Sequence, residues 1–221
     1  MAKISTARRL DEPIPAHEPK RPGFGGGGPP PPPVRPNVPI GTNAWLGVLV
    51  FLGAEAMFFA GLIGAYLVFR LGSPMWPPPF QPRLPIDLTG VNTMILLASA
   101  VTMRLSLRAV RLENYKKMIR LVAVTAALGS IFLIIQGYEW LRLIQFGLTV
   151  SSSVYGGLFY TLIGFHGLHV AGALIWLLVV FVMAQKGRFS KKRHVGLQTC
   201  ALYWTFVVAL WPVLYGLVYL Y

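Results

Sequence analysis

Cysteine and histidine are scarce in this chain, and their scarcity limits the chemistry available to it. The 221 residues contain a single cysteine, Cys200, and four histidines. One thiol allows no intramolecular disulfide and no metal centre with two thiolate ligands. The sequence also lacks a P-loop, a CxxCH haem-attachment motif and a serine-nucleophile motif. We therefore expect no catalytic residue, no metal and no redox cofactor in this chain.

Charge is also scarce, and acidic charge most of all. Charged residues make up 12% of the chain and hydrophobic residues 55%, with 20 Lys and Arg against seven Asp and Glu. A soluble globule does not need several apolar runs of the roughly 20 residues that cross a hydrocarbon core. No cleavable signal peptide is visible before the first run. We predict an all-α polytopic membrane protein, a bundle of five transmembrane helices near residues 45–69, 89–103, 119–138, 157–184 and 196–220.

The N-terminal residues have a different composition from the rest. Residues 1–42 contain GGGG, PPPPP and repeated X-Pro pairs, with few aromatic residues to bury. Such a segment cannot offset its own ordering entropy, and its proline run favours an extended polyproline II conformation. We predict a disordered, basic, Pro/Gly-rich tail over residues 1–42, followed by a membrane domain over residues 43–221.

Lysine and arginine are distributed unevenly between the two sides of the predicted bundle. The polar segments that alternate on one side carry 17 of them, and those on the other side carry three. The positive-inside rule then predicts a cytoplasmic N-terminus and a C-terminus facing outward. The same rule, with anionic headgroups, accounts for the net charge of +13, so we expect phospholipid and no nucleic acid as a partner.

Ionisable side chains inside the predicted spans are the strongest functional signal. Glu55 is the only such group in the first span, and the fourth span carries His166 and His169. At a rise of 1.5 Å per residue, Glu55 lies about 15 Å deep and His169 about 18 Å deep, both near the midplane. A hydrogen-bonded Glu–His pair lowers the cost of burying either group, so we predict that Glu55 pairs with His169 or His166.

Two other readings of these residues stay open. Glu55 could be protonated while both histidines bond only to backbone or hydroxyl oxygens. Alternatively, the two histidines with Glu55 or Glu139 could form a carboxylate-containing metal site.

Cations follow the fourth span in the segment KGRFSKKRH. Lys186, Arg188 and His194 are candidate contacts for the phosphate of an anionic phospholipid, because long basic side chains reach headgroup height from a helix end. The alternative is that these charges only fix the direction of insertion.

Four stretches resemble subunit III of the haem–copper terminal oxidases, the family of cytochrome c oxidase and quinol oxidase. The resemblance runs from about Asn43 to Tyr221 and looks like the shorter, five-helix bacterial form. It is carried by Trp45, Phe51, Glu55, Met57, Phe58, Phe59 and Tyr66 in span one, Asn92, Thr93, Leu96, Leu97 and Ser99 in span two, Gln136, Glu139 and Trp140 in span three, and YGGLFYTLIGFHGLHV in span four.

The chain also departs from the family pattern. After span two the family often has W-A-H-H, and the corresponding residues here are Leu105, Ser106, Leu107 and Arg108. In the last helix, Thr205 and Val208 stand where the family usually has His and Asp. An acid before that helix is replaced by Gln198. These departures imply that a polar network of the family is missing or rebuilt here.

The resemblance implies a non-catalytic core subunit of an enzyme complex. Haem and copper would lie in the partner subunits I and II, and this chain would dock against subunit I, hold phospholipid and sustain proton uptake and stability of the catalytic subunit. It implies a polar pair on the proton path, formed by Glu55 with His166 or His169, and Gln136 and Glu139 as secondary polar residues. The implied location is a bacterial plasma (inner) membrane, with a respiratory supercomplex as a further candidate partner.

Two alternatives remain from the sequence. The chain could be the homologous accessory subunit of a quinol oxidase or nitric oxide reductase, which only the neighbouring subunits would distinguish. It could also be an independent proton-coupled transporter that uses Glu55 and the histidines as a relay. Transporters usually contain internal repeats and broken midplane helices, and the five spans show no repeat.

Overall fold

Five long helices account for nearly all of the described structure. A computed structural model describes residues 40–79, 86–190 and 194–220, with side chains from residue 43. The tail predicted for residues 1–42 lies outside the part of the chain whose side chains are described. The helices are α1 (Ile40–Gly72), α2 (Ile86–Arg111), α3 (Tyr115–Gln145), α4 (Val154–Gln185) and α5 (Val195–Tyr215), and a π-helical turn (Gly216–Leu220) follows α5. All five are long and apolar enough to cross a membrane, which confirms the predicted all-α, five-span class.

The helices extend beyond the apolar segments seen in the sequence. α2 continues from the predicted end at residue 103 to Arg111, and α3 starts at Tyr115 and not at residue 119. The added turns carry Arg104, Arg108, Lys116 and Lys117 among others. Lys and Arg are good helix formers whose long side chains reach toward an interface. Each helix therefore continues beyond the apolar segment that hydropathy identifies.

Capping residues define where the helices begin and end. The side chain of Asn114 accepts a hydrogen bond from the backbone N–H of Lys117 (3.1 Å), and that of Ser153 accepts one from Gly156 (3.0 Å). These bonds satisfy donors that have no partner inside the helix. At the other end of α3, Gly147 takes a left-handed conformation (φ +88°) and Leu148 donates to the carbonyl of Leu143, as in a Schellman motif.

Four helices form the core, and aromatic side chains fill it. α2 and α3 make the most extensive pair, and α4 and α5 pack against them. Trp204 is fully buried and its indole lies against Gly129, where only a hydrogen leaves room for the ring. The indole N–H of Trp204 donates to the Ser99 hydroxyl (3.1 Å), and that of Trp211 donates to the Thr93 hydroxyl (2.8 Å). The indole N–H groups of these two tryptophans therefore have hydrogen-bond acceptors across a helix interface.

α1 lies at the edge of this bundle. It contacts α4 and α5, and among its described side chains only Phe59 and Tyr66 are buried. Near its end, the guanidinium of Arg70 donates to the carbonyl of Leu217 (3.1 Å) and to the Tyr66 hydroxyl (3.4 Å). Most of α1 thus presents its apolar side chains outward, while its last turn is tied to the segment after α5.

Candidate functional site

Glu55 and His169 form a direct contact between α1 and α4. The carboxylate Oε2 lies 2.8 Å from the imidazole Nε2, and the two side chains are 16% and 17% exposed. The other imidazole nitrogen, Nδ1, lies 2.6 Å from the backbone carbonyl of Phe165. Of the two pairings that the sequence left open, the structure contains this one.

The carbonyl of Phe165 determines how many protons the pair holds. A carbonyl oxygen only accepts, so Nδ1 must carry a hydrogen. One further proton then lies between Nε2 and Oε2, either on His169, as an imidazolium beside a carboxylate, or on Glu55, as an acid beside a neutral imidazole. Both arrangements have zero net charge. The pair can therefore reside in an apolar setting and hold one shared proton without an isolated charge.

Aromatic rings hold the imidazole of His169 in place. Phe59 meets it edge-on with ring centroids 5.0 Å apart, and Phe58 stacks against it at 6.1 Å. Phe58 in turn meets Phe165 edge-on at 5.2 Å. These contacts restrict rotation of the imidazole and keep Nε2 directed at Glu55.

His166 lies in different surroundings. It is buried (1% exposed), and neither of its ring nitrogens has a hydrogen-bond partner in the described part of the chain. Its ring stacks on Trp211 at 4.9 Å and meets Phe59 and Phe132 edge-on. His166 is thus part of the aromatic core and does not contact Glu55.

Glu139 is the centre of a second, fully buried polar group. The hydroxyl of Thr89 on α2 lies 2.9 and 3.1 Å from its two carboxylate oxygens, and the amide of Gln136 donates to it at 3.1 Å. The Gln136 amide also lies 3.4 Å from the Tyr219 hydroxyl. The sequence identified Gln136 and Glu139 but missed Thr89 and Tyr219. A buried carboxylate needs hydrogen-bond donors, and this requirement is the signal that could have prompted a search for them on neighbouring helices.

The metal-site alternative finds no support in this arrangement. Over residues 40–79, 86–190 and 194–220, no three His, Cys, Asp or Glu side chains lie close enough together to hold a metal ion. His166 and His169 both contact the Phe59 ring, but only His169 contacts a carboxylate.

The cations after α4 border an apolar groove. The groove has a volume of about 430 Å³, and Lys186 and Arg188 stand at one end of it. Its apolar wall includes Ile175, Leu178, Val179 and Val182. An apolar channel with cations at its end fits the shape and charge of an anionic phospholipid.

His194, the third predicted phosphate contact, is already engaged by the protein. Its Nδ1 lies 3.2 Å from the Ser190 carbonyl and its Nε2 lies 2.9 Å from the Gln198 amide. These bonds leave Lys186 and Arg188 as the better suited pair. The remaining cations of this segment, residues 191–193, lie outside the described residues.

Comparison with known proteins places the chain among oxidase subunits. A profile of the family described as cytochrome c oxidase subunit III matches residues 36–221. The chain is 42% identical over 175 residues to cytochrome c oxidase subunit 3 of Synechocystis sp., covering 79% of this chain and 74% of the relative. It is 35% identical over 176 residues to that of Thermostichus vulcanus (79% and 86%), and 33% identical over 180 residues to that of Loxodonta africana (78% and 67%).

Proposed function

The chain belongs to the cytochrome c oxidase subunit III family, and from this premise we propose that it docks on the catalytic subunit, holds phospholipid and sustains proton uptake. As a member it is a multi-pass membrane subunit of the respiratory terminal oxidase. We infer that haem and copper lie in subunits I and II. We also infer that cytochrome c is the electron donor, since the relatives described above are named cytochrome c oxidase subunits.

The exposed side of α1 supports docking on another membrane subunit. Val50, Met57 and Val68 lie along it and are 67%, 79% and 71% exposed. Between them a methyl group added at Gly53, Gly61 or Gly64 would meet nothing within 4 Å. Small residues allow two membrane helices to approach closely, so this side of α1 suits contact with a helix of subunit I.

The Glu55–His169 contact is the observation that carries the proton-uptake part of the proposal. The pair stores one exchangeable proton in a neutral unit, and its partial exposure leaves it reachable from the bundle surface. Because the unit is neutral with this proton, it can pass a proton on without a lasting buried charge only by releasing one proton as it takes up another. We propose that it keeps proton delivery to subunit I fast enough for sustained turnover.

The groove along α4 supports the lipid part of the proposal. One acyl chain would lie on the apolar wall and the phosphate would contact Lys186 and Arg188. The distribution of Lys and Arg supports a cytoplasmic N-terminus, which puts these two cations in the cytoplasmic leaflet. We propose a bacterial plasma membrane as the location, with a respiratory supercomplex as a further partner.

The experiment is a turnover-lifetime measurement on the purified oxidase complex. Glu55→Ala should leave the haem content of the complex unchanged but shorten the period of linear oxygen consumption. Glu113→Ala, which removes a carboxylate in the turn after α2, is the matched control and should keep the wild-type lifetime. If the lifetime and proton uptake of Glu55→Ala equal those of the wild type, the proton-uptake role is wrong.

A further inference from the structure

A second groove opens between α2 and α5, away from the groove along α4. It has a volume of about 250 Å³. Its α2 side includes Leu97, Ala100 and Arg104, and its α5 side includes Thr205, Val208 and Ala209. The wall is therefore apolar except for one arginine and one hydroxyl.

Several of the side chains that line the groove are short. Thr205 and Val208 occupy the two positions where the family resemblance led us to expect His and Asp. Thr205 is smaller than His, Val208 is uncharged where Asp would carry a charge, and Ala100 and Ala209 each contribute only a methyl group to the groove. The departures from the family pattern in the last helix thus shorten the groove wall at Thr205 and make it apolar at Val208.

Arg104 has no acidic partner in the described part of the chain. It is exposed, it lies seven residues before the last residue of α2, and none of the ion pairs in residues 40–79, 86–190 and 194–220 involves it. One turn further along α2 stands Arg108, also exposed and also without an ion pair in those residues. Two like charges four residues apart on a helix repel each other, so an anion placed between them is stabilised.

A free hydroxyl lies deeper in the same groove. Thr205 makes no hydrogen bond within the described residues, although most Thr side chains on these helices bond to a carbonyl one turn back. It lies ten residues after the start of α5, about 15 Å in, whereas Arg104 lies about 10 Å from the end of α2. The cation and the hydroxyl are thus ordered along the groove like the phosphate and the ester oxygens of a phospholipid.

We propose that this groove binds an anionic phospholipid, with its phosphate on Arg104 and Arg108 and one acyl chain along α2 and α5. The planar guanidinium matches phosphate geometry, and basic pockets between membrane helices are known to hold acidic headgroups. The site is separate from Lys186 and Arg188. This proposal extends the lipid-binding part of the proposed function. It depends on the proposed function only for placing the lipid in the cytoplasmic leaflet.

The test uses the intact oxidase complex in phosphatidylcholine vesicles that contain a minor fraction of phosphatidylglycerol with a photoactivatable acyl chain. Cross-linked peptides are mapped by mass spectrometry. We expect cross-links in residues 97–104 and 205–209. Arg104→Gln should lower them roughly fivefold, the effect of one basic residue near an anionic surface. Ala209→Phe should lower them similarly, because the ring fills the groove while Arg104 stays.

Two matched variants serve as controls. Arg120→Gln removes an exposed arginine five residues inside α3, at the same end of the bundle as Arg104. Val213→Phe adds the same ring to an exposed position one turn further along α5. Both should keep wild-type cross-linking.

Three outcomes would overturn the proposal. They are equal cross-linking by a phosphatidylcholine analogue, unchanged cross-linking in Arg104→Gln, and no cross-links to this groove in the wild-type complex. The last result would mean that a partner helix covers it. The same experiment also reports cross-links along α4 near Lys186. The absence of lipid at that other site can therefore be distinguished from its absence in the groove between α2 and α5.

Discussion

His166 and His169 stand three residues apart on α4 yet belong to different environments. The buried His166 ring stacks on the face of Trp211, and neither of its ring nitrogens has a hydrogen-bond partner in the described residues. His169 is held between the Phe165 carbonyl and the Glu55 carboxylate near the bundle surface. The first histidine thus contributes packing and the second contributes a proton-holding contact.

Substitutions should separate these two contributions. His166→Phe keeps an aromatic ring and removes two buried polar atoms without partners, so we expect a complex no less stable than the wild type, since each such atom costs about 1–3 kcal/mol. His166→Ala leaves a cavity and should cost about 3 kcal/mol. The measurement is thermal unfolding of the purified complex.

The corresponding substitution at His169 should act mainly on turnover. His169→Phe should shorten turnover lifetime, as Glu55→Ala does, and should lower thermal stability because the Glu55 carboxyl loses its hydrogen-bond partner. A shortened lifetime in His166→Phe, with His169→Phe like the wild type, would show that the two assignments are reversed.

Dicyclohexylcarbodiimide should distinguish the carboxyl groups of Glu55 and Glu139. It reacts with protonated carboxyls in apolar surroundings, and the Glu55 side chain is 16% exposed whereas Glu139 is 1% exposed. We expect labelling of Glu55 and little of Glu139, measured by peptide mass spectrometry. In His169→Ala the carboxyl loses its base and should be labelled faster. Equal labelling of Glu139, or an unchanged rate in His169→Ala, would contradict the shared-proton arrangement.

Two glycines of α3 provide a matched test of the core. Gly129→Ala adds a methyl group where the Trp204 ring lies, and overpacking of this kind should cost about 1–3 kcal/mol of stability. Gly137→Ala adds the same methyl group where nothing lies within 4 Å, and should gain up to about 1 kcal/mol from helix propensity. Thermal unfolding of both variants is the measurement. Equal stability of the two would show that Trp204 does not pack as described.

Lipid retention tests the groove along α4. The double substitution Lys186→Gln and Arg188→Gln should lower the anionic phospholipid that copurifies with the complex, because both cations at the end of the groove are removed. Lys116→Gln with Lys117→Gln, two exposed cations at the start of α3, is the control. Lipid is quantified by mass spectrometry of extracts. If the double variant at Lys186 and Arg188 retains as much anionic phospholipid as the wild type, these two charges serve only to direct membrane insertion.

A topology reporter tests the proposed orientation. The 17-to-three asymmetry of Lys and Arg predicts an outward C-terminus, so alkaline phosphatase fused after Tyr221 should be active. A fusion after Leu112, in the turn between α2 and α3, should be inactive because that turn would be cytoplasmic. The reversed pattern in intact, inserted chains would mean that the orientation is wrong.

Hydropathy predicts the number of helices, and residue counting predicts that Glu55 and His169 can meet. Glu55 and His169 were placed near the same depth by counting residues, and side chains at equal depth can meet. Which histidine faces α1 could not be obtained in this way, because the rotation of α4 about its own axis depends on packing. Trp211 and Phe59, whose rings contact the two imidazoles, belong to other helices.

The partners of Glu139 show where sequence reasoning ends. Thr89 is 50 positions away from it, and Tyr219 is 83 positions away from Gln136. Neither residue type is unusual in a membrane helix, so nothing local marks them as partners of a buried acid. Only the packing of α2, α3 and the final turn brings them together.

The bond from Arg70 to the Leu217 carbonyl has a consequence for biosynthesis. The helix whose exposed side suits docking on the catalytic subunit is made first, and the carbonyl that ties down its last turn is made after all five helices. Until translation reaches that point, α1 lacks this connection and its angle to the bundle is less restricted. The order of synthesis therefore matters for assembly, because a nascent or truncated chain lacks the bond that fixes the angle of the docking helix.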